Sequence, residues 1–149
     1  MQKVIIERMT LKDIDGIMRI ENASFKLPWK RQAFLNELSK NKLAVYLVAK
    51  LEGRVVGYAG MWKVLDEGHI TNIAVHPDLR GQKIASAMVT ELIRICRAAT
   101  IQYLTLEVRQ SNLIAQKLYL KHGFFISGAR KAYYADNQED AVIMWKEII

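Results

Sequence analysis

The chain has little of several things, and each shortage excludes something. There is one cysteine, Cys96, so no internal disulfide can form. It falls in the helical run Leu92-Ile93-Arg94-Ile95-Cys96 and reads as a packed core thiol. The three histidines, His69, His76 and His122, are scattered, and no pair has metal-ligand spacing, so no metal site is expected. Proline occurs twice and no stretch is low in complexity, which leaves no long disordered region. No apolar run approaches the roughly 18 residues that span a bilayer, so no membrane role is expected. The first residues, Met1-Gln2-Lys3-Val4-Ile5-Ile6-Glu7-Arg8, become charged too soon for a signal peptide. The expected location is cytoplasmic. Acidic residues are also short: 15 against 22 Lys and Arg give a net charge of +7. That balance suits a partner carrying phosphates, either a nucleotide cofactor or nucleic acid. The basic residues are not gathered into one run, so no direct nucleic-acid role is expected.

What is present describes a folded protein. Its 149 residues suit a single domain, 1–149, with a core of its own. Hydrophobic content of 51% and charged content of 25% are those of a globular chain.

Taken in order, Val4-Ile5-Ile6 reads as a short strand. Thr10-Leu11-Lys12-Asp13 has capping-box form. The helix after it places Leu11, Ile14, Ile17, Met18 and Ile20 on one face and fades near Asn22-Ala23-Ser24. A loop with two aromatics, Phe25-Lys26-Leu27-Pro28-Trp29, leads to a second helix over about Arg31 to Ser39. Leu43 to Ala49 is a strand, Leu51-Glu52-Gly53-Arg54 a hairpin turn, and Val55 to Val64 its partner. Gly57 and Gly60 within that partner mark bends or close backbone approach. A turn at Asp66-Glu67-Gly68 feeds the strand Ile70 to Val75. An Ala-rich amphipathic helix covers Ile84 to Ala98, and Ile101 to Val108 is a strand parallel to the previous one through a right-handed crossover. Ser111-Asn112 caps a further helix with Ile114, Leu118 and Tyr119 spaced for burial, and His122-Gly123 ends it. Phe124-Phe125-Ile126 and Ala141 to Trp145 are the last strands. They flank a polar stretch containing Tyr133-Tyr134. The order β-α-α-β-β-β-α-β-α-β-β specifies an α/β fold. Its mixed, mostly antiparallel sheet has one central parallel strand pair and is flanked by helices.

The stretch from Thr71 to Ser86 organises the rest. A strand breaks at His76-Pro77-Asp78, a polar loop carries Arg80, Gly81 and Lys83, and a helix begins. Unpaired N–H groups in a helix's first turn, with the helix dipole, attract anions. The same stretch also serves as an ordinary strand-to-helix connection.

Arg80-Gly81-Gln82-Lys83-Ile84-Ala85 resembles the signature of the Gcn5-related N-acetyltransferases: Arg or Gln, two residues, Gly, one residue, then Gly or Ala. Lys83 stands where that family usually has Gly. Leu106-Glu107-Val108-Arg109-Gln110-Ser111-Asn112, with Leu118-Tyr119 and Gly123-Phe124, is similar to the bacterial ribosomal-protein-alanine acetyltransferases, which modify the N-terminal amine of small-subunit protein S18. Pro28-Trp29, Leu65-Asp66-Glu67, Asn72-Ile73-Ala74-Val75 and Tyr133-Tyr134 match the same group. The resemblance covers nearly the whole chain. It implies an acetyl-CoA-dependent N-terminal acetyltransferase acting on a ribosomal protein by direct transfer. It also implies that two parallel strands splay to admit the acyl arm.

Under that resemblance, Ile73, Ala74 and Val75 position the thioester, and Arg80, Gly81, Gln82, Lys83, Ile84, Ala85 and Ser86 hold the pyrophosphate through backbone N–H groups. Alternation along Tyr103 to Val108 puts Tyr103, Thr105 and Glu107 on one face, with Glu107 at the strand's C-terminal end. Glu107 is the expected base; it also suits a solvated acid paired with a cation. Tyr119 is the expected acid; it also suits a core tyrosine with a satisfied hydroxyl. Asn112 is expected to bind CoA, or to be a plain N-cap. Trp29, Glu67, Tyr133 and Tyr134 are assigned to the acceptor peptide, the two tyrosines serving otherwise as anchors of the final hairpin. Two other functions fit the residues: acetylation of a lysine side chain, polyamine or other small amine, and a ribosome- or RNA-binding module with a vestigial CoA site.

Overall fold

The computed structural model describes residues 3–148. Its elements are β1 (Val4–Arg8), α1 (Ile14–Ser24), α2 (Arg31–Ser39), β2 (Ala44–Leu51), β3 (Arg54–Val64), β4 (Glu67–Val75), α3 (Ile84–Ala98), β5 (Tyr103–Arg109), α4 (Leu113–Lys121), β6 (Phe125–Arg130) and β7 (Ala141–Glu147). Single 3-10 turns at Leu11–Asp13 and Pro77–Leu79 lead into α1 and the loop before α3. The expected order is the observed one. The seven strands form one sheet in the order β1-β2-β3-β4-β5-β7-β6. Only β4 and β5 run parallel.

The sheet is buried on both faces at its centre, which explains why β2 reads as a nearly continuous apolar run. Val45, Leu47 and Ala49 face a core built with Met88, Val89, Leu92 and Cys96 of α3. Tyr46 and Val48 face the other way, toward Ile14, Ile17 and Ile20 of α1 and Phe34 of α2. Along β5, Leu104, Leu106 and Val108 join the α3 core. Tyr103 stays exposed on the opposite face, with Thr105 and Glu107 half-buried there. Cys96 is fully buried with its thiol 3.6 Å from the Met61 sulfur, and burial pushes it up to about 11.

Local chemistry sets the element ends. Asp13 accepts the Thr10 N–H at 2.8 Å, closing the capping box, and pairs with Lys50 at 3.0 Å. In the β2–β3 turn both Glu52 (φ 51°) and Gly53 (φ 79°) take positive φ, the twist that suits a two-residue hairpin. Gly60 is a close approach: a Cβ there would lie 2.3 Å from the Tyr46 ring and 2.5 Å from Asn72 Oδ1.

Three expectations are corrected. Leu11 is 60% exposed because it belongs to the 3-10 turn before α1, off the helical face. Ile114 is 85% exposed; it shares a helix with Tyr119 but lies on the outer side. The strand expected at Phe124 to Ile126 runs Phe125–Arg130, and Phe124 packs in the core against Tyr119 with ring centroids 5.5 Å apart.

Candidate active site

The β4–β5 ladder is short. Glu67 pairs with Tyr103, Gly68 with Leu104 and His69 with Thr105, and there the pairing stops. Both strands continue, β4 to Val75 held only by β3, and β5 to Arg109 held only by β7. The facing edges part, as the resemblance implies. A bulge marks the place: Gly60 pairs with Asn72 and Met61 with Ile70, which leaves Thr71 without a partner residue on β3. Thr71 Oγ1 lies 3.3 Å from the Tyr46 hydroxyl and donates to Asn72 Oδ1 at 2.9 Å. Asn72 Nδ2 is buried without a partner among the described residues.

A cleft of about 370 Å³ opens between the parted strands. Glu107, Tyr119, Asn112, Ile73, Trp29 and Tyr134 all line it. The sequence-named residues from β5, α4, β4, the α1–α2 loop and the β6–β7 loop therefore meet at one place. Glu107 accepts a hydrogen bond from His69 Nε2 at 2.5 Å and lies 3.4 Å from Arg130 Nε. A carboxylate can only accept, so His69 carries its proton on Nε2. The His69 hydrogen bond holds the Glu107 carboxyl below its ordinary value of 4.5, against burial, with Arg130 adding to the effect. The Glu107 side chain is 13% exposed and that of His69 35% exposed, so the imidazole connects the carboxylate to solvent.

Tyr119 is 3% exposed. Burial pushes its phenol well above the ordinary range, so it stays protonated and is a hydrogen-bond donor. Asn112 uses its side-chain oxygen as the N-cap of α4, accepting from Ala115 N–H at 3.1 Å. The cap leaves its NH₂ group available, so the two readings of Asn112 are compatible.

The loop before α3 forms a second, more exposed part of the site. Among the described residues, the backbone N–H groups of Gly81, Gln82, Lys83, Ile84, Ala85 and Ser86 have no acceptor. Gly81 (φ 85°) and Lys83 (φ 65°, ψ 19°) both take left-handed backbone. Glycine adopts this region freely, whereas in other residues it costs about 1–2 kcal/mol. Lys83 thus keeps the conformation that the motif's usual glycine would supply. Arg80 is engaged within the fold, donating to Val75 O and Ser24 Oγ, each at 3.2 Å. Ser86 Oγ lies 2.8 Å from His122 Nε2. Ala74 and Val75 are buried and do not line the cleft.

Two residues assigned to the acceptor lie elsewhere. Glu67 begins β4 at the paired end of the ladder and borders a separate depression with Tyr103, Phe125 and Trp145. Tyr133 is 49% exposed outside the cleft, its ring stacked edgewise on Tyr134 at 5.1 Å.

Several site residues were not named from the sequence. His69 is one: its pairing with Thr105, which shares a face with Glu107, follows only from the sheet register. Buried Glu21 is another. It accepts the Trp29 N–H at 2.8 Å and a hydrogen bond from the Tyr58 hydroxyl, tying the α1–α2 loop to the sheet.

Residues 14–124 match the model of the acetyltransferase (GNAT) family. The chain belongs to the GNAT family. Among named relatives, a [ribosomal protein bS18]-alanine N-acetyltransferase of Haemophilus ducreyi is 38% identical over 145 residues, covering 94% of this chain and 97% of its own. A Bacillus subtilis protein to which the same activity is provisionally assigned is 44% identical over 146 residues, covering 98% and 97%. The crystal structure of the ribosomal-protein-S18-alanine N-acetyltransferase from Escherichia coli superimposes with a TM-score of 0.90 at 30% identity, covering 98% of this chain and 94% of that one. The protein is an N-acetyltransferase of the GNAT family.

Proposed function

We propose that the protein transfers the acetyl group of acetyl-CoA to the N-terminal α-amine of a ribosomal protein of the bS18 kind. The observation that carries this reading is that Glu107 and Tyr119, from different elements, line the one cleft that opens where β4 and β5 part. The relatives named for bS18-alanine acetylation, similar over nearly their whole length, support the acceptor.

The residues present suit acetyl-CoA. The unpaired N–H groups from Gly81 to Ser86, at a helix start, suit a pyrophosphate. The free β4 edge from Ile70 to Val75 suits an extended, amide-bearing chain by strand-like pairing, and its N–H groups suit a polarised thioester oxygen. Asn112 adds an amide at the mouth.

Magnitudes decide what Glu107 does. An α-amine has pKa about 7.7–8.0, and Glu107 is held below 4.5. Moving a proton from a free ammonium to this carboxylate is uphill, and the His69 hydrogen bond that lowers Glu107 makes it more so. The acceptor therefore arrives as the neutral amine, which is plentiful near pH 8. Glu107 orients it by accepting an N–H. Once nitrogen bonds to the carbonyl carbon, the nitrogen becomes acidic and Glu107 takes its proton, with His69 stabilising the charge and linking it to solvent. The C–S bond breaks as the Tyr119 hydroxyl donates a hydrogen bond to the departing sulfur; the thiolate takes its proton from solvent, and Glu107 returns the one it accepted through His69. Because that phenol's pKa is raised, Tyr119 works by its position and not by its acidity.

An acceptor panel tests the proposal: a bS18-like N-terminal peptide, the same peptide with its α-amine blocked and an internal lysine, and a polyamine. Acetylation of the free α-amine alone is expected. Modification of the lysine or polyamine with the α-amine untouched contradicts the acceptor assignment, and saturable acetyl-CoA binding without turnover on any amine contradicts an enzymatic role for this cleft.

A further inference from the structure

Arg109, Gln110 and Ser111 lie just beyond Glu107, after Val108, and take no part in the chemistry above. Their surroundings give Arg109 a role. The Arg109 guanidinium reaches across to the 131–140 loop between β6 and β7. Its Nη2 donates to Asp136 Oδ2 at 2.9 Å and its Nη1 to Asn137 Oδ1 at 3.2 Å, with Glu139 Oε1 at 3.4 Å. Its Cζ lies 4.0 Å from the centroid of the Tyr134 ring. The second Glu139 oxygen accepts the Ser111 N–H at 2.6 Å. The Arg109 carbonyl accepts from Gln116 Nε2 and from Asn112 N–H, each at 3.0 Å. One residue thus touches the loop that carries Tyr134 and the helix start that carries Asn112.

The contacts are directional. A guanidinium has a planar fork and a stacking face, which a lysine ammonium lacks. Hydrogen bonds from Ser111 hold the Glu139 carboxyl down at about 2, so Glu139 stays charged against Arg109 across the neutral range. Asp136 itself lines the cleft. Unpaired, it would offer a rival anchor for an incoming ammonium; paired with Arg109, its charge is engaged.

We infer that Arg109 is a positioning residue that fixes the 131–140 loop against the start of α4 and so pre-forms the acceptor wall of the cleft. The inference rests on reading that wall as the acceptor's. Pre-forming a wall lowers the ordering cost of binding, so the effect belongs in acceptor affinity and not in the cofactor's.

The test has two arms on the full chain. In the first, Arg109→Lys and Arg109→Gln are assayed on a bS18-like N-terminal peptide with acetyl-CoA. Acceptor KM is expected to rise about 10-fold for Lys and further for Gln, with the KM for acetyl-CoA within about twofold of the parent. Asp136→Asn, which removes one arm of the fork, should raise acceptor KM less than either. In the second arm, amide hydrogen exchange in the free protein is expected to speed up at Tyr134, Gln138 and Glu139 in the Arg109 variants while α3 is unchanged. A fall in kcat alone with a lowered melting temperature makes Arg109 merely structural and overturns the inference. Parent-like acceptor KM and loop exchange also overturn it. Should the parent fail to acetylate the peptide, the functional reading fails by itself, and the exchange arm still decides whether Arg109 holds the loop.

Discussion

The two walls of the cleft are built in different ways. The wall from β4 to α3 is made of backbone: parted strand edges, and a run of N–H groups from Gly81 to Ser86 that have no acceptor among the described residues. The wall from β5, α4 and the β6–β7 loop is made of side chains: Glu107 with His69 and Arg130, Arg109 with Asp136 and Glu139, and Tyr119 packed on Phe124. A backbone site tolerates a change of side chain as long as φ and ψ are kept, as Lys83 shows with its left-handed conformation. A side-chain site tolerates little, because each atom there is placed by a partner. Substitutions should accordingly cost much on the second wall and little on the first.

The largest effect is expected at Glu107. Glu107→Gln keeps the shape and removes the proton acceptor, so kcat/KM near pH 7 should fall by about 10²-fold or more. The deficit should narrow as pH rises, because hydroxide then takes the proton of the acyl-bound nitrogen in place of Glu107. A loss equal at all pH values, measured by steady-state rates from pH 6.5 to 9, assigns Glu107 to structure. Next comes Tyr119→Phe, which should lower kcat by about 10-fold or more and leave the KM for acetyl-CoA nearly unchanged. The reverse pattern makes Tyr119 a binding residue.

A smaller effect concerns acid. The Glu139 carboxyl sits at about 2 in the fold against an ordinary 4.5. A depressed folded-state value stabilises the loop above the unfolded value and ceases to do so as pH falls through the folded one. The 131–140 loop should therefore loosen between about pH 4.5 and pH 2, read as faster amide exchange there relative to α3. Glu139→Gln should flatten that dependence. The smallest effect is expected at Lys83. Lys83→Gly removes about 1–2 kcal/mol of left-handed strain but adds about 0.5–1 kcal/mol of chain entropy to the unfolded state. The melting temperature should rise slightly or not at all, with the KM for acetyl-CoA within a few-fold. A large loss of acetyl-CoA affinity would mean that the Lys83 side chain, and not its backbone, holds the cofactor.

The same contrast governs what could be read from the sequence. The order of elements, the antiparallel meander and the parallel pair all rest on local pattern, namely alternation, helical spacing and glycine, and all are present in the fold. The face and strand end of Glu107, and the shared helix side of Asn112 and Tyr119, were legible from the same patterns; the roles of all three came from the resemblance. Their partners were not legible. His69 precedes Glu107 by 38 positions and Asp136 follows Arg109 by 27, and no periodicity links such pairs before the sheet order is known. Glu67 shows the converse. It sits in a matching motif, yet register puts it at the closed end of the ladder, beside Tyr103. Of the two adjacent tyrosines, Tyr134 lines the cleft under Arg109 while Tyr133 lies outside it, exposed.

The central claim is that this cleft acetylates an N-terminal α-amine with Glu107 as its base. The most direct measurement is mass spectrometry of a bS18-like N-terminal peptide incubated with acetyl-CoA and either the parent protein or Glu107→Gln, across pH 6.5 to 9. The prediction is a single acetyl group on the α-amine, formed by the parent at every pH and by the variant mainly at the alkaline end. An unmodified α-amine with the parent protein, or equal rates for parent and variant at pH 7, contradicts it.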